Sequence, residues 1–114
     1  MKVLVCGGRR FNDTARLRRK LSLLNDARAI TLIIHGGASG ADRLAGAWAN
    51  QNGVNVVEYK ARWKQFGKGA GPIRNRQMLD EGKPDLVVAF KGDRGTANMI
   101  KQADDRGVKV IECF

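Results

Sequence analysis

A chain of 114 residues with 43% hydrophobic side chains predicts one folded domain, spanning residues 1–114, rather than a disordered polymer. No apolar run approaches the roughly 18 residues of a membrane span, so neither a transmembrane segment nor a membrane partner is expected. Lys and Arg number 21 against 11 Asp and Glu, and the resulting +10 favours phosphorylated small molecules or polyanions as partners.

Met1-Lys2-Val3-Leu4-Val5 opens a first strand, Lys2 to Cys6, too short for the apolar region of a signal peptide. It stops at Gly7-Gly8. From Thr14 to Asn25 the leucines at 17, 21 and 24 repeat at i, i+4 and i+7, the stripe of an amphipathic helix. Its other face carries Arg16, Arg18, Arg19 and Lys20, which reads as a solvated face or as a nucleic-acid contact. Ala29 to Ile34 forms a second strand, and it ends in His35-Gly36-Gly37-Ala38-Ser39-Gly40-Ala41-Asp42. A strand, a glycine-rich turn and a new helix make a phosphate cradle, because glycines admit a close ligand and a helix start offers free N–H groups. The spacing is not that of a P-loop or of a complete dinucleotide fingerprint. The helix that follows shows Ala41, Leu44, Ala45 and Trp48 on one face, with Ser39 and Asp42 in an S-x-x-D capping pattern.

Val54 to Tyr59 is a third strand. Lys60 to Gly71 is an aperiodic loop holding Trp63, Phe66 and several cations, suited either to stacking on a base or to plugging the core. Pro72 opens a helix to about Gly82, with Arg74, Asn75 and Arg76 in its first turn, where cations are poorly placed unless an anion is near. Asp85 to Phe90 is a fourth strand, and Gly92 to Gly95 form another glycine-rich strand-to-helix turn. Gly107 ends the last helix before a strand over Val108 to Ile111. Strands alternating with helices predict an α/β fold, a doubly wound parallel sheet, with a ligand at the carboxyl ends of its strands. Cys6 and Cys113 have no metal-ligand or C-x-x-C spacing, which predicts reduced core thiols of a cytosolic protein and no bound metal.

Four motifs in order make the chain recognisable. Val5-Cys6-Gly7-Gly8-Arg9 with Phe11, the His35 to Asp42 stretch, Gly71-Pro72-Ile73-Arg74-Asn75-Arg76-Gln77-Met78, and Gly95-Thr96 resemble the YspA-like, cpYpsA-related SLOG family. The resemblance implies a Rossmann-like, five-stranded sheet in the order 3-2-1-4-5 and a nucleotide-derived ligand with no obligatory cofactor. It also implies a homo-oligomer whose pockets can be shared. Relatives include LOG-type phosphoribohydrolases and the DNA-processing protein A family, which binds single-stranded DNA. The LOG signature ends in a catalytic glutamate, and the matching position here is Met99. A thioether cannot replace that carboxylate in acid–base work.

The expected function is therefore binding, as a sensor or sequestering module. Gly7, Gly8, Gly36, Gly37, Gly40, Gly92 and Gly95 would frame the phosphate. Ser39 and Thr96 would add hydroxyls, Arg9 and Arg74, with Arg76, charge, and Asn75 further hydrogen bonds. Asp42 would face a ribose and Trp63 or Phe66 the base. The alternatives are an N-glycoside or nucleotide hydrolase using Asp42, Asp93 or His35, and single-stranded nucleic-acid binding. Each hydrolase candidate also has a plain structural role: a cap for Asp42 and Asp93, a hydrogen-bonded core position for His35.

Overall fold

A computed structural model describes residues 1–114. Five strands, β1 (Lys2–Cys6), β2 (Leu32–His35), β3 (Asn55–Glu58), β4 (Leu86–Phe90) and β5 (Lys109–Cys113), form one parallel sheet in the order β3-β2-β1-β4-β5. Helices α1 (Thr14–Ala27), α2 (Ala41–Gln51), α4 (Ala70–Gly82) and α5 (Arg94–Asp105) supply the crossovers, and a single turn, α3 (Trp63–Phe66), precedes α4. The order expected from the family resemblance is the order found.

Period-two alternation of the strands divides the core into two layers. Val3, Val5, Ile33, Val88 and Phe90 face one side, packed on Leu17 and Leu21 of α1 and on Ala45, Trp48 and Ala49 of α2. Leu4, Cys6, Ile34, Val87 and Ala89 face the other, under Met78 and Leu79 of α4 and Met99 and Ala103 of α5. Small residues let α2 lie close to the sheet, and the buried Trp48 indole donates to Ser22 Oγ at 3.1 Å. Both cysteines are free, Cys6 buried and Cys113 partly so. No helix is long and apolar enough to cross a membrane.

Most element ends lie within one or two residues of the sequence expectation, β5 running on to Cys113 and α1 to Ala27, and three differences bear on the site. β2 begins at Leu32, because Ile30 N–H is taken by Asn25 Oδ1 and Thr31 N–H by the Met1 carbonyl, which ties residues 29–31 to the first helix and the chain start. The stretch expected to be aperiodic contains α3 and a short 3₁₀ turn, Gly67–Gly69, that leads directly into α4. α4 therefore starts at Ala70, and Pro72 is its third residue, still where a missing N–H costs nothing. Arg74, Asn75 and Arg76 consequently occupy the second turn. They lie past the helix start at which cations would be poorly placed, and Arg74 is held instead by the Gly36 carbonyl.

Candidate functional site

β1, β2 and β4 end side by side, and their glycine turns meet at the point where the strand order reverses. Gly8 N–H donates to the Lys91 carbonyl at 2.9 Å, and Ala41 N–H points at the Gly8 carbonyl at 3.4 Å. A Cβ at Gly40 would overlap the Gly8 carbonyl oxygen, and one at Gly92 would lie 2.7 Å from Gly8 N. Gly8, Gly40 and Gly92 thus weld the three turns together. They do not line the cleft beside them, as the sequence reading expected, because the space their missing side chains leave is filled by backbone and, at Gly92, also by the Thr96 side chain.

That cleft has a volume of about 740 Å³ and opens on the α4–α5 side of the sheet. Gly7, Arg9, Gly36, Gly37, Ser39 and Asp42 line it from the strand ends. Trp63, Arg74, Asn75, Gly95 and Thr96 line it from the opposite wall. Eleven of the fourteen residues expected to bind ligand are therefore brought together, Gly8, Gly40 and Gly92 being the exceptions. Arg76 is exposed and lies outside the cleft. Phe66 is exposed beside Trp63 but does not reach the cleft lining.

The loop after β2 is organised by Asp42. Its Oδ2 accepts from Gly36 N–H at 2.9 Å and from Ala38 N–H at 3.2 Å, while Gly37 N–H donates to His35 Nδ1 at 3.0 Å. The S-x-x-D pattern is not a capping box: Gly40 is the N-cap of α2, without a side-chain bond, and Ser39 Oγ donates instead to the Arg9 carbonyl at 3.2 Å. A carboxylate of the chain itself occupies the donors that the glycine turn was expected to give a phosphate. Burial pushes the Asp42 carboxyl up from its ordinary value, against the pull of the two N–H bonds, His35 and Arg74.

His35 is buried on the α2 face, away from the cleft, and borders a separate cavity of about 320 Å³ with Arg43, Asn50 and Glu58. Period two explains this, since His35 shares its face with Ile33. Burial lowers its pKa from the usual 6.5, with Asp42 and Glu58 opposing. The unfolded chain therefore takes up this proton first as pH falls from 6.5. The contribution of neutral His35 is complete above that value and is lost as pH drops through the folded one. Asp42, shifted upward, acts in the opposite sense over its own range. The thermal midpoint is expected to fall between pH 7 and pH 5, and to fall less in His35→Asn, whose amide oxygen can keep the Gly37 bond; an equal fall in both proteins contradicts the assignment.

The opposite wall is a polar chain between α4 and α5. Arg74 Nη1 donates to the Gly36 carbonyl at 2.8 Å and its Nε to Asn75 Oδ1 at 3.0 Å. A Cβ at Gly36 would overlap the guanidinium, so this glycine makes room for Arg74. Buried Asn75 donates to the Gly95 carbonyl at 3.2 Å and to Asn98 Oδ1 at 3.1 Å. Gln102 Nε2 then joins Asn98 Oδ1 to the Pro72 carbonyl. Sequence reasoning missed Asn98 and Gln102; their i, i+4 spacing on α5 was the available signal.

The first turn of α5 opens into the same cleft. Asp93 is its N-cap, accepting from Gly95 N–H at 3.4 Å, and its carbonyl accepts from Ala97 N–H at 3.0 Å. The N–H groups of Arg94 and Thr96 remain for another acceptor. Nothing lies within 4 Å of a Cβ built on Gly95. Arg9, Lys60, Lys68, Arg74 and Arg94 bring positive charge to the lining, against Asp42, Glu58 and Asp93. Met99, at the position of the LOG glutamate, is fully buried in the core. No group of three or more His, Cys, Asp or Glu side chains is arranged to hold a metal ion.

The family model described as YAcAr, the YspA, cpYpsA-related SLOG family, matches residues 1–66. The chain is 35% identical over 118 residues to the Gene 61 protein of Mycobacterium phage D29, covering 96% of this chain and 94% of that protein. The X-ray structure of DNA processing protein A (DprA) from Streptococcus pneumoniae is similar over 97% of this chain with a TM-score of 0.78. Sequence identity there is 20%, and the likeness is one of fold. The chain spans 49% of the DprA chain, about half its length.

Proposed function

Since the chain belongs to the YspA, cpYpsA-related SLOG family, we propose that its cleft binds a nucleotide or nucleotide-derived ligand, a nucleoside phosphate or an ADP-ribose-like molecule, as a sensor or sequestering module. The observation that carries this reading is the first turn of α5. Its unclaimed N–H groups, the Thr96 side chain and Arg94 converge on a cleft at the switch point of a parallel sheet. The α5 turn is favoured over the Gly36–Ala38 loop as the phosphate position, because Asp42 and His35 already hold that loop's donors. Arg9 adds charge from the facing wall. Binding is favoured over turnover because Met99 lies in the core and the hydrolase candidates Asp42 and Asp93 each have one carboxylate oxygen held by backbone N–H groups.

Gly95 offers the test. A Cβ there meets open space at the cleft lining, so calorimetric titration with nucleoside diphosphates and ADP-ribose should show binding to the native protein and at least a tenfold loss in Gly95→Val. The unfolding midpoint should stay near that of the native protein. Unchanged affinity in the folded variant contradicts the phosphate position, and release of free base during the titration favours the hydrolase.

One observation favours nucleic acid as a second reading. Across the Gly8–Gly92 ridge lies another cavity, of about 770 Å³, lined by Arg9, Arg10, Arg16 and Lys91. Binding of a single strand there would weaken steeply with salt as phosphate contacts release counterions.

A further inference from the structure

The hydrogen bonds on Asp42 are lopsided. Both backbone donors fall on Oδ2, and no group of the chain donates to Oδ1. The side chain is 5% exposed, yet no buried side-chain oxygen lacks a partner, so Oδ1 is reached through the cleft that Asp42 lines. Arg74 is its complement. Nη1 and Nε are committed to the Gly36 carbonyl and Asn75, which leaves Nη2 free to donate. Each group feels the other's charge, but no ion pair closes between them within 4.0 Å. The cleft floor thus presents one strong acceptor and one strong donor with space for a neutral group that satisfies both.

A second observation says which group. Trp63 is the only aromatic ring lining the cleft, and at 51% exposure it stands at the mouth, whereas Asp42 lies at the floor. A base has its stacking partner at the mouth and none beside Asp42. A phosphate is repelled from Oδ1 and belongs at α5. The remaining part of a nucleotide is its sugar. Resting on the nucleotide reading above, we infer that Asp42 and Arg74 recognise a vicinal diol. One ribose hydroxyl donates to Oδ1 and the neighbouring oxygen accepts from Nη2, so the ligand is a ribo- and not a 2′-deoxyribo-compound. Asp42 is a specificity-determining residue in this arrangement, and no bond is made or broken.

The experiment is a calorimetric comparison of the four ribonucleoside 5′-diphosphates with their 2′-deoxy and 3′-deoxy counterparts, on the native protein and on Asp42→Asn. An acceptor bond to a charged group supports a preference of about tenfold or more for the ribo-compound. In Asp42→Asn the amide oxygen can keep the Gly36 and Ala38 bonds, its nitrogen faces the cleft, and the preference should fall below about threefold. Equal affinity of the native protein for ribo- and deoxy-compounds overturns the diol assignment and leaves the nucleotide reading standing. A preference that survives intact in folded Asp42→Asn also overturns it. Failure of every diphosphate, and of ADP-ribose titrated beside them, to bind overturns the nucleotide reading and the diol with it.

Discussion

Alanine at Gly40 is expected to destabilise the fold by about 3 kcal/mol or more, the upper range for forcing an extra carbon into a closed interior. The reason is the partner it would meet. The new Cβ overlaps the Gly8 carbonyl oxygen and lies 2.8 Å from the Arg9 carbonyl carbon, and both are backbone atoms that no rotamer change can move. Relief requires the first turn to part from the start of α2. That motion also disturbs the contacts at Gly92 and Gly7, where a Cβ would sit 2.6 Å from Ala41 Cβ. Gly95→Ala is the control: its Cβ meets nothing, and alanine is favoured over glycine in a helix by about 1 kcal/mol. Urea unfolding of both variants should therefore show a large loss at position 40 and no loss at position 95. Equal midpoints would mean that the three turns are not in contact.

Trp63→Ala is expected to weaken nucleotide binding by about tenfold to a hundredfold while leaving stability almost unchanged, since stacking a base on an aromatic ring is worth roughly 1–3 kcal/mol. Half-exposed Trp63 leans toward Gly71, whose added Cβ would be 3.4 Å from the indole, and lies in the single helical turn before α4. Such a ring loses little by truncation in the free protein and much in a complex that covers it. Trp63→Phe keeps an aromatic face and should recover part of the loss. A Trp63→Ala protein with native affinity would move the base elsewhere.

The fold was legible because each strand is an apolar run closed by glycine or a polar turn. β1 was read to its observed ends, Gly107 closes α5 at φ +71°, and the glycine turns fall at the carboxyl ends of the strands. The roles within the turns were less legible. Ser39 and Asp42 have the spacing of a cap, and only the folded loop reveals that the carboxylate turns back to Gly36 and Ala38. Gly8, Gly40 and Gly92 read as ligand-facing because a glycine run does not distinguish a close ligand from close backbone. Asn98 and Gln102 lie on a helix face that resembles a solvated one, and their network depends on Asn75 arriving from α4. The face occupied by His35, by contrast, was available from the alternation of β2.

The most direct measurement is a ¹H–¹⁵N NMR titration of the native protein with nucleoside diphosphates and, separately, ADP-ribose. The proposed site requires saturable shifts centred on the amides of Gly7, Arg94, Gly95 and Thr96 and on the Trp63 indole. Shifts confined to Arg10, Arg16 and Lys91, or none at millimolar ligand, would contradict it.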